Sequence, residues 1–195
     1  MSPFVDFTRN HASWIPALAL AIAAIVIALA GPDIQASLRY QRHSVLGMEW
    51  WRLLTGNLVH LGLAHLILNL AGLGLVALLF SAVFSAGRWL AILLAGALST
   101  TLGLLIFTQV EWYVGLSGLL HGAYTAGALA EVRGGRRFGY VLLLLLAIKL
   151  LADLLFGASA FTAALIGGEV IVAAHCFGAL GGLLGLVPLR TSPRA

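Results

Sequence analysis

The chain has 195 residues, of which 61% are hydrophobic and only 9% are charged. Its mean hydropathy is +1.03, well above that of soluble globular domains. This composition excludes a soluble core as the main explanation and predicts an integral membrane protein. The formal charge of +4 does not indicate nucleic-acid binding, because the few basic residues flank apolar segments.

Apolar stretches of spanning length, about 20 residues in a helix, recur along the chain. They predict an all-α membrane protein, a bundle of six transmembrane helices that forms a single domain over residues 1–195. In chain order, the predicted spans are residues 14–30, 58–80, 89–107, 115–130, 140–156 and 169–187. Residues 31–57 form the one long connection and are predicted to be an outer loop.

The arginines beside the spans predict the orientation of the bundle. If the spans alternate in direction, one side of the membrane collects Arg9, Arg88, Arg133, Arg136, Arg137, Arg190 and Arg194. Because cytoplasmic loops carry an excess of basic residues, both termini are predicted to be cytoplasmic. The single cysteine, Cys176, allows no intramolecular disulfide.

Polar residues inside apolar spans are costly and often functional. With both termini inside, the second, fourth and sixth spans each bring polar side chains to the outer half of the membrane. These side chains are His60, His65, Asn69, Ser117 and His175. His175, for example, lies roughly 9 Å below residue 169, at about 1.5 Å per residue. The sequence therefore predicts a wet pocket that opens outward.

The local spacing indicates what this layer could do. His65 and Asn69 are four residues apart and share a helix face, whereas His60 points elsewhere unless Gly62 marks the helix start. Ser117 lies between glycines where a helix is expected to begin. Free N–H groups and the helix dipole at such an end favour negative charge, as in a tetrahedral acyl intermediate.

Small residues predict a close approach between the fourth and sixth spans. His175 is followed at three and seven residues by Gly178 and Gly182, and a matching stripe begins at Gly118. If the stripes meet, Ser117 and His175 come within hydrogen-bond range, and the imidazole can take the hydroxyl proton. No carboxylate stands at an obvious orienting position, so the pattern favours a dyad of two residues.

Four motifs in this order resemble the rhomboid intramembrane serine proteases, over nearly the whole stretch from Glu49 to Gly185. They are Trp51-Arg52 in the long loop, "HLGLAHLILN" in the second span, "GLSG" in the fourth and "AHCFGALGG" in the sixth. Each motif alone is weak. Together, on the predicted helices and at one membrane side, they indicate a six-helix rhomboid-like fold.

The resemblance implies roles for individual residues. Ser117 would be the nucleophile and His175 the general base, while the backbone N–H of Ser117 and the side chains of His65 and Asn69 would form an oxyanion hole. Gly115 and Gly118 belong to the serine motif. The implied enzyme needs no cofactor or metal and cleaves transmembrane protein substrates within the lipid bilayer.

One departure from the common pattern is informative. Many rhomboids carry a tyrosine four residues after the serine, and here that residue is His121. The resulting GxSGxxHG motif resembles the rhombosortase branch, compact bacterial enzymes of the inner membrane whose site faces the periplasm. The substrates implied are secreted or surface proteins with a C-terminal GlyGly-CTERM tail: a Gly-Gly motif, a hydrophobic helix and a basic end. The acyl group would pass to water or to another acceptor.

Other interpretations of these residues stay open. Ser117 could be a small packing residue between glycines, and His175 a buried imidazole bonded to a neighbouring helix. Asn69 could hold helices together, and His60 could cap its helix or hold the long loop. His121 lies one turn after Ser117 on the same face, so it is a rival base as well as a candidate partner of His175.

Two further sets of residues need a role. Trp51 and Arg52 are expected to be structural, with the guanidinium gathering loop carbonyls. Lys149 and Asp153 are four residues apart and are expected to form a neutralising pair facing the bundle, with a proton or ion path as the alternative.

Different functions compete with proteolysis. A histidine-ligated haem or metal protein would use the imidazoles that approach one layer, namely His60, His65, His121 and His175. A rhomboid of other substrate specificity and a catalytically dead rhomboid-like binding protein are the remaining alternatives.

Overall fold

The computed structural model of the chain describes residues 11–186. Arg9, Arg190, Arg194 and the end of the sixth predicted span at residue 187 lie outside the described residues. Within residues 11–186 the elements are α1 (Ile15–Leu29), α2 (Pro32–Leu38), β1 (Tyr40–Gln41), α3 (Arg42–Leu46), α4 (Arg52–Thr55), α5 (Leu63–Phe80), α6 (Ala86–Phe107), β2 (Trp112–Tyr113), α7 (Ser117–Arg133), α8 (Phe138–Phe156), α9 (Ala160–Ile166) and α10 (Val172–Gly185).

The fold is a helical bundle, as its composition predicts. By length and composition, α5, α6 and α8 can cross a membrane, and α1 and α10 are shorter apolar helices. Helix α7 is more polar, and ten of its seventeen residues are buried among its neighbours. The prediction that α1, α7 and α10 also span the membrane therefore stays a prediction, as does the cytoplasmic position of both termini.

The predicted outer loop is a folded segment rather than an open connection. Three short helices and β1 occupy residues 32–55, and β1 pairs antiparallel with β2 so that Tyr40 faces Tyr113. Arg42 donates hydrogen bonds to the carbonyl oxygens of Leu104 and Thr108, at 3.4 and 2.9 Å. These contacts tie the segment to the end of α6 and to the strand that leads into α7.

The predicted helix starts differ from the observed ones by one to five residues, and the differences at α5 and α10 concern helices that carry site residues. Helix α5 begins at Leu63, because the chain runs through a 3-10 turn at Gly56–Leu58 before it reaches Gly62. Helix α10 begins at Val172, so Glu169 precedes the helix and does not open it. The unpredicted helix α9 ends at Gly167, whose φ of 77° is left-handed and stops the helix before residue 169.

The centre of the bundle is a close contact between α7 and α10. A methyl group added at Gly178 would lie 1.9 Å from the carbonyl oxygen of Gly118, and one at Gly182 would lie 2.1 Å from that of Gly122. The two small-residue stripes therefore meet, and their order shows that the helices run in the same direction. This register brings the beginnings of α7 and α10 to the same end of the bundle.

Replacing Gly178 by alanine tests this contact. We expect Gly178→Ala to lower the midpoint of thermal unfolding in detergent, because the added methyl group meets rigid backbone, and overpacking costs about 1–3 kcal/mol. Gly74→Ala is the matched control, since a Cβ there has no heavy atom within 4 Å. Equal midpoints for the two variants would contradict the contact.

Candidate active site

Ser117 and His175 contact each other at the beginnings of two helices. Ser117 is the first residue of α7, and His175 lies in the first turn of α10. The Oγ of Ser117 and the Nε2 of His175 are 3.0 Å apart, within hydrogen-bond distance. His175 is only 6% exposed and Ser117 is half-buried, so neighbouring residues cover most of the pair.

The other ring nitrogen of His175 faces a carboxylate. Its Nδ1 is buried, with no partner at hydrogen-bond distance among the described residues, and Oδ2 of Asp153 lies 3.5 Å away. Asp153 also forms the predicted ion pair with Lys149. The sequence shows no carboxylate at an obvious orienting position, and the structure places this one near the ring because the turn of α8 that carries Asp153 packs beside α10.

His65 presents an N–H edge to the serine motif. The backbone N–H of Leu61 donates to Nδ1 of His65 over 3.3 Å, so a neutral ring carries its proton on Nε2. That edge lies against Gly115, where a Cβ would be only 2.8 Å from Nε2. Gly115 has a φ of +119°, which also favours glycine.

Asn69 lies one turn further along α5, on the same face as His65. Its Nδ2 donates a hydrogen bond of 3.0 Å to the carbonyl oxygen of His65. An amide nitrogen has two N–H groups, so one donor remains for a ligand. His65, Asn69 and Ser117 all line the same cavity.

His121 stacks on His175 instead of bonding the serine hydroxyl. The ring centroids are 4.2 Å apart, and the planes differ by 14°. The Nδ1 of His121 lies 2.7 Å from the carbonyl oxygen of Ser117, so this nitrogen donates to the backbone. His121 is therefore placed to hold the ring of His175, while the hydroxyl faces His175.

His60 lies behind this group. It is buried edge-on to His65, with ring centroids 5.0 Å apart, and its Nδ1 lies 3.1 Å from the carbonyl oxygen of Leu58. It does not line the cavity that contains Ser117. The structure therefore brings His65, Asn69, Ser117 and His175 together and leaves His60 outside that cavity.

Tyr113 shapes the turn that precedes Ser117, a role that sequence reasoning missed. Its hydroxyl donates to the carbonyl oxygen of Gly115 over 2.7 Å and accepts from the N–H of Gly118 over 3.3 Å. Burial raises the pKa of Tyr113, which precedes the α7 span, to about 12. The hydroxyl thus stays protonated and able to donate at physiological pH. An aromatic residue two positions before Gly115 carries no recognisable signal of this contact in the sequence.

Arg52 holds the outer segment together. This buried guanidinium donates from Nη1 to the carbonyl oxygens of Ala36 and Arg39, each at 2.9 Å, and from Nε to Glu49 at 2.6 Å. The exposed Trp51 donates from its indole to the carbonyl oxygen of Ser37 over 3.3 Å. All of these contacts lie within residues 36–52, so they hold the short helices of this segment to one another.

A cavity of about 890 Å³ opens onto the serine. Its walls come from α5, α7, α8, α9 and α10 and from the strand β2, and most of them are apolar. Its polar groups include Ser117, His175, His65, Asn69, Lys149 and Asp153. The cavity is large enough for a peptide segment, and the Ser117–His175 pair is part of its lining.

The imidazoles do not assemble into a metal centre within residues 11–186. No group of three or more His, Cys, Asp or Glu side chains in this part of the chain is arranged to hold a metal ion. Four of the histidines form two ring pairs instead, His60 with His65 and His121 with His175. Nε2 of His175 faces the hydroxyl of Ser117, and Nδ1 of His121 faces its carbonyl oxygen.

Sequence comparison identifies the class of protein. Residues 47–191 match the Rhomboid domain family, and because this is well over half of the chain, the chain belongs to the rhomboid family. It is also 36% identical over 84 residues to the protein named Rhomboid protease GluP of Bacillus subtilis (strain 168). That match covers 43% of this chain and 16% of the relative, so the chain spans a small part of the relative's length.

Proposed function

We propose that the protein is an intramembrane serine protease in which Ser117 is the nucleophile and His175 the general base. The observation that carries the proposal is the 3.0 Å contact between Oγ of Ser117 and Nε2 of His175. A serine hydroxyl is a poor nucleophile without a base within hydrogen-bond reach. Membership of the rhomboid family and the likeness to a protein named as a rhomboid protease support the same activity.

The chemistry follows from this pair. Oγ of Ser117 attacks the carbonyl carbon of the scissile bond while its proton passes to Nε2 of His175. The C–N bond breaks, and the leaving amine takes that proton, which leaves an acyl ester on Ser117. Water then attacks the ester and gives a proton to Nε2; the ester bond breaks, the carboxylic acid leaves and the proton returns to Oγ.

The negative oxygen of the tetrahedral intermediate needs hydrogen-bond donors on the side of Ser117 that is opposite to His175. We assign this role to Nε2–H of His65, the free N–H of Asn69 and the backbone N–H of Ser117. The tautomer of His65 and the partly used amide of Asn69 leave both side chains able to donate. The N-terminus of α7 adds the positive end of a helix dipole.

His121 is proposed to position the base. Its parallel stack on His175 restrains the plane of that ring, and its bond to the carbonyl oxygen of Ser117 keeps it from the hydroxyl. In the GxSGxxHG motif this residue stands where many rhomboids have a tyrosine. Either ring presents a flat face to the catalytic imidazole.

A fluorophosphonate probe tests the nucleophile directly. We expect the full chain in detergent to be labelled and Ser117→Ala to lose all labelling, because the probe forms a bond to an activated serine. Ser159→Ala is the matched control, a serine that lines the same cavity and caps α9. The readout is the fluorescence of the labelled band, with folding checked by thermal unfolding.

The same assay should distinguish the roles of the two stacked histidines. His175→Ala should remove labelling, whereas His121→Phe should retain part of it, because a flat ring can still stack. Labelling that survives the loss of His175 but not of His121 would exchange their roles. Absent labelling of a folded wild-type chain would refute the proposed function.

The oxyanion assignment predicts a selective loss of turnover. Removal of one oxyanion donor costs about 10²–10³ in kcat in other serine proteases. We expect Asn69→Ala to reduce kcat on that scale while KM changes little, because the donor acts on the transition state. Steady-state cleavage of a transmembrane peptide measures both constants, and a change confined to KM would instead indicate a role in substrate binding.

We further propose the rhombosortase specificity, with cleavage of a GlyGly-CTERM tail at the periplasmic face of a bacterial inner membrane. A helical substrate encloses its peptide bonds, and glycines weaken a helix by about 1 kcal/mol each. A Gly-Gly pair above an apolar helix therefore supplies an extended segment at the depth of Ser117. The His121 motif and the predicted outward position of the site support this assignment.

Two tailed reporters test the specificity. One carries a Gly-Gly pair, an apolar helix and a basic end, and the other differs only in Leu-Leu for Gly-Gly. In proteoliposomes we expect the first to be cleaved at least about tenfold faster, the scale on which a pocket rejects added methylene groups. Equal rates would indicate a rhomboid of other substrate specificity, and Ser117→Ala supplies the background rate.

A further inference from the structure

We propose that Asp153 is a positioning residue for His175, so that the site is a Ser117–His175–Asp153 triad rather than a dyad. The inference rests on the proposed function, in which His175 is the general base. Its basis is the juxtaposition of the Asp153 carboxylate with the ring nitrogen of His175 that does not face the serine.

The tautomer of His175 creates the need for this carboxylate. If Nε2 accepts the hydroxyl proton, a neutral ring must carry its own proton on Nδ1. That Nδ1 is buried and without a hydrogen-bond partner among the described residues, and Oδ2 of Asp153 stands 3.5 Å away. Catalytic hydrogen bonds are often long in unliganded enzymes and shorten when substrate binds.

The burial pattern of α8 sets Asp153 apart from the rest of its helix. Of the nineteen residues of α8, three are buried, and Asp153 is the single polar residue among them. Most of the other side chains are apolar and exposed on the outer face of the bundle. A carboxylate in an apolar span is costly, so its inward placement beside an imidazole calls for a function.

Lys149 provides a positively charged partner for this carboxylate. It bonds to the same oxygen of Asp153 from one turn earlier on α8, and its side chain is 49% exposed, against 10% for Asp153. The pair is neutral overall, which reduces the cost of burying the carboxylate. Lys149 thus pairs with the charge of Asp153 and makes no hydrogen bond to Ser117 in the structure.

In the reaction Asp153 takes no proton. When Nε2 receives the proton of Ser117, His175 becomes an imidazolium whose Nδ1–H donates to Oδ2. The carboxylate stabilises that cation and keeps Nδ1 protonated, so that Nε2 is the basic nitrogen in each cycle. His121 restrains the plane of the ring by stacking, and Asp153 fixes its rotation within that plane.

A simpler structural interpretation makes a contrary prediction. If Asp153 only neutralises Lys149, Lys149→Met should be the more impaired single variant, because it leaves the buried carboxylate unpaired, whereas Asp153→Asn leaves a half-exposed ammonium that water can solvate. Removing both charges should then restore function, because no buried charge is left without a partner. If Asp153 orients His175, the double variant should stay as slow as Asp153→Asn.

The experiment measures the rate constant of fluorophosphonate labelling of Ser117 in the full chain for Asp153→Asn, Lys149→Met and the double variant. We expect Asp153→Asn and the double variant to be slower by about 10²-fold or more, since the corresponding change in a serine protease triad costs about 10⁴ in kcat. Lys149→Met should lose much less. With a peptide substrate the loss should fall on kcat and not on KM.

The outcomes separate this inference from the proposed function. No labelling of folded wild-type chain refutes the protease itself. Normal wild-type labelling, together with a wild-type rate in Asp153→Asn or in the double variant, refutes only the triad. The double variant carries no unpaired charge, so it decides the matter even if Asp153→Asn alone fails to fold. On a His175→Ala background, Asp153→Asn should cause no further loss of any residual rate.

Discussion

The site depends on the backbone contact between α7 and α10. At Gly178 and Gly182 the second helix approaches the carbonyl oxygens of the first so closely that no side chain fits between them. A rigid contact of this kind fixes distance, direction and register together. This contact therefore sets the separation of the two helices at which Oγ of Ser117 and Nε2 of His175 lie 3.0 Å apart.

Around that contact, hydrogen bonds determine which ring nitrogen or hydroxyl carries the proton in several polar side chains. Leu61 directs the proton of His65 to the nitrogen beside Gly115, and the carbonyl oxygen of Ser117 takes the Nδ1–H of His121. Tyr113 holds the turn before the serine through one donated and one accepted bond. A buried polar network is favourable only when its members are satisfied. Among the described residues, six buried side-chain nitrogen or oxygen atoms make no hydrogen bond, and Nδ1 of His175 is the one that belongs to the proposed base.

The sequence predicts the main helices and the meeting of Ser117 with His175, because apolar length and glycine spacing are local signals. It also predicts the Lys149–Asp153 pair from their spacing. The sequence does not predict that Asp153 lies beside His175, since the packing of α8 against α10 leaves no local signal in either helix. The role of Tyr113 could not be predicted, because its hydroxyl bonds to backbone atoms that only the fold brings together. The start of α10 at Val172 could not be predicted, because no capping residue precedes it.

Burial of α7 among its neighbours has a consequence for the response to the lipid. The helices with the most exposed apolar surface, such as α8, meet the hydrocarbon directly and must adapt by tilting when the bilayer becomes thicker or thinner. Helix α7 is sheltered on most sides and takes its geometry from α10. We therefore expect hydrophobic mismatch to act first on the peripheral helices and to change the separation of α7 and α10 least.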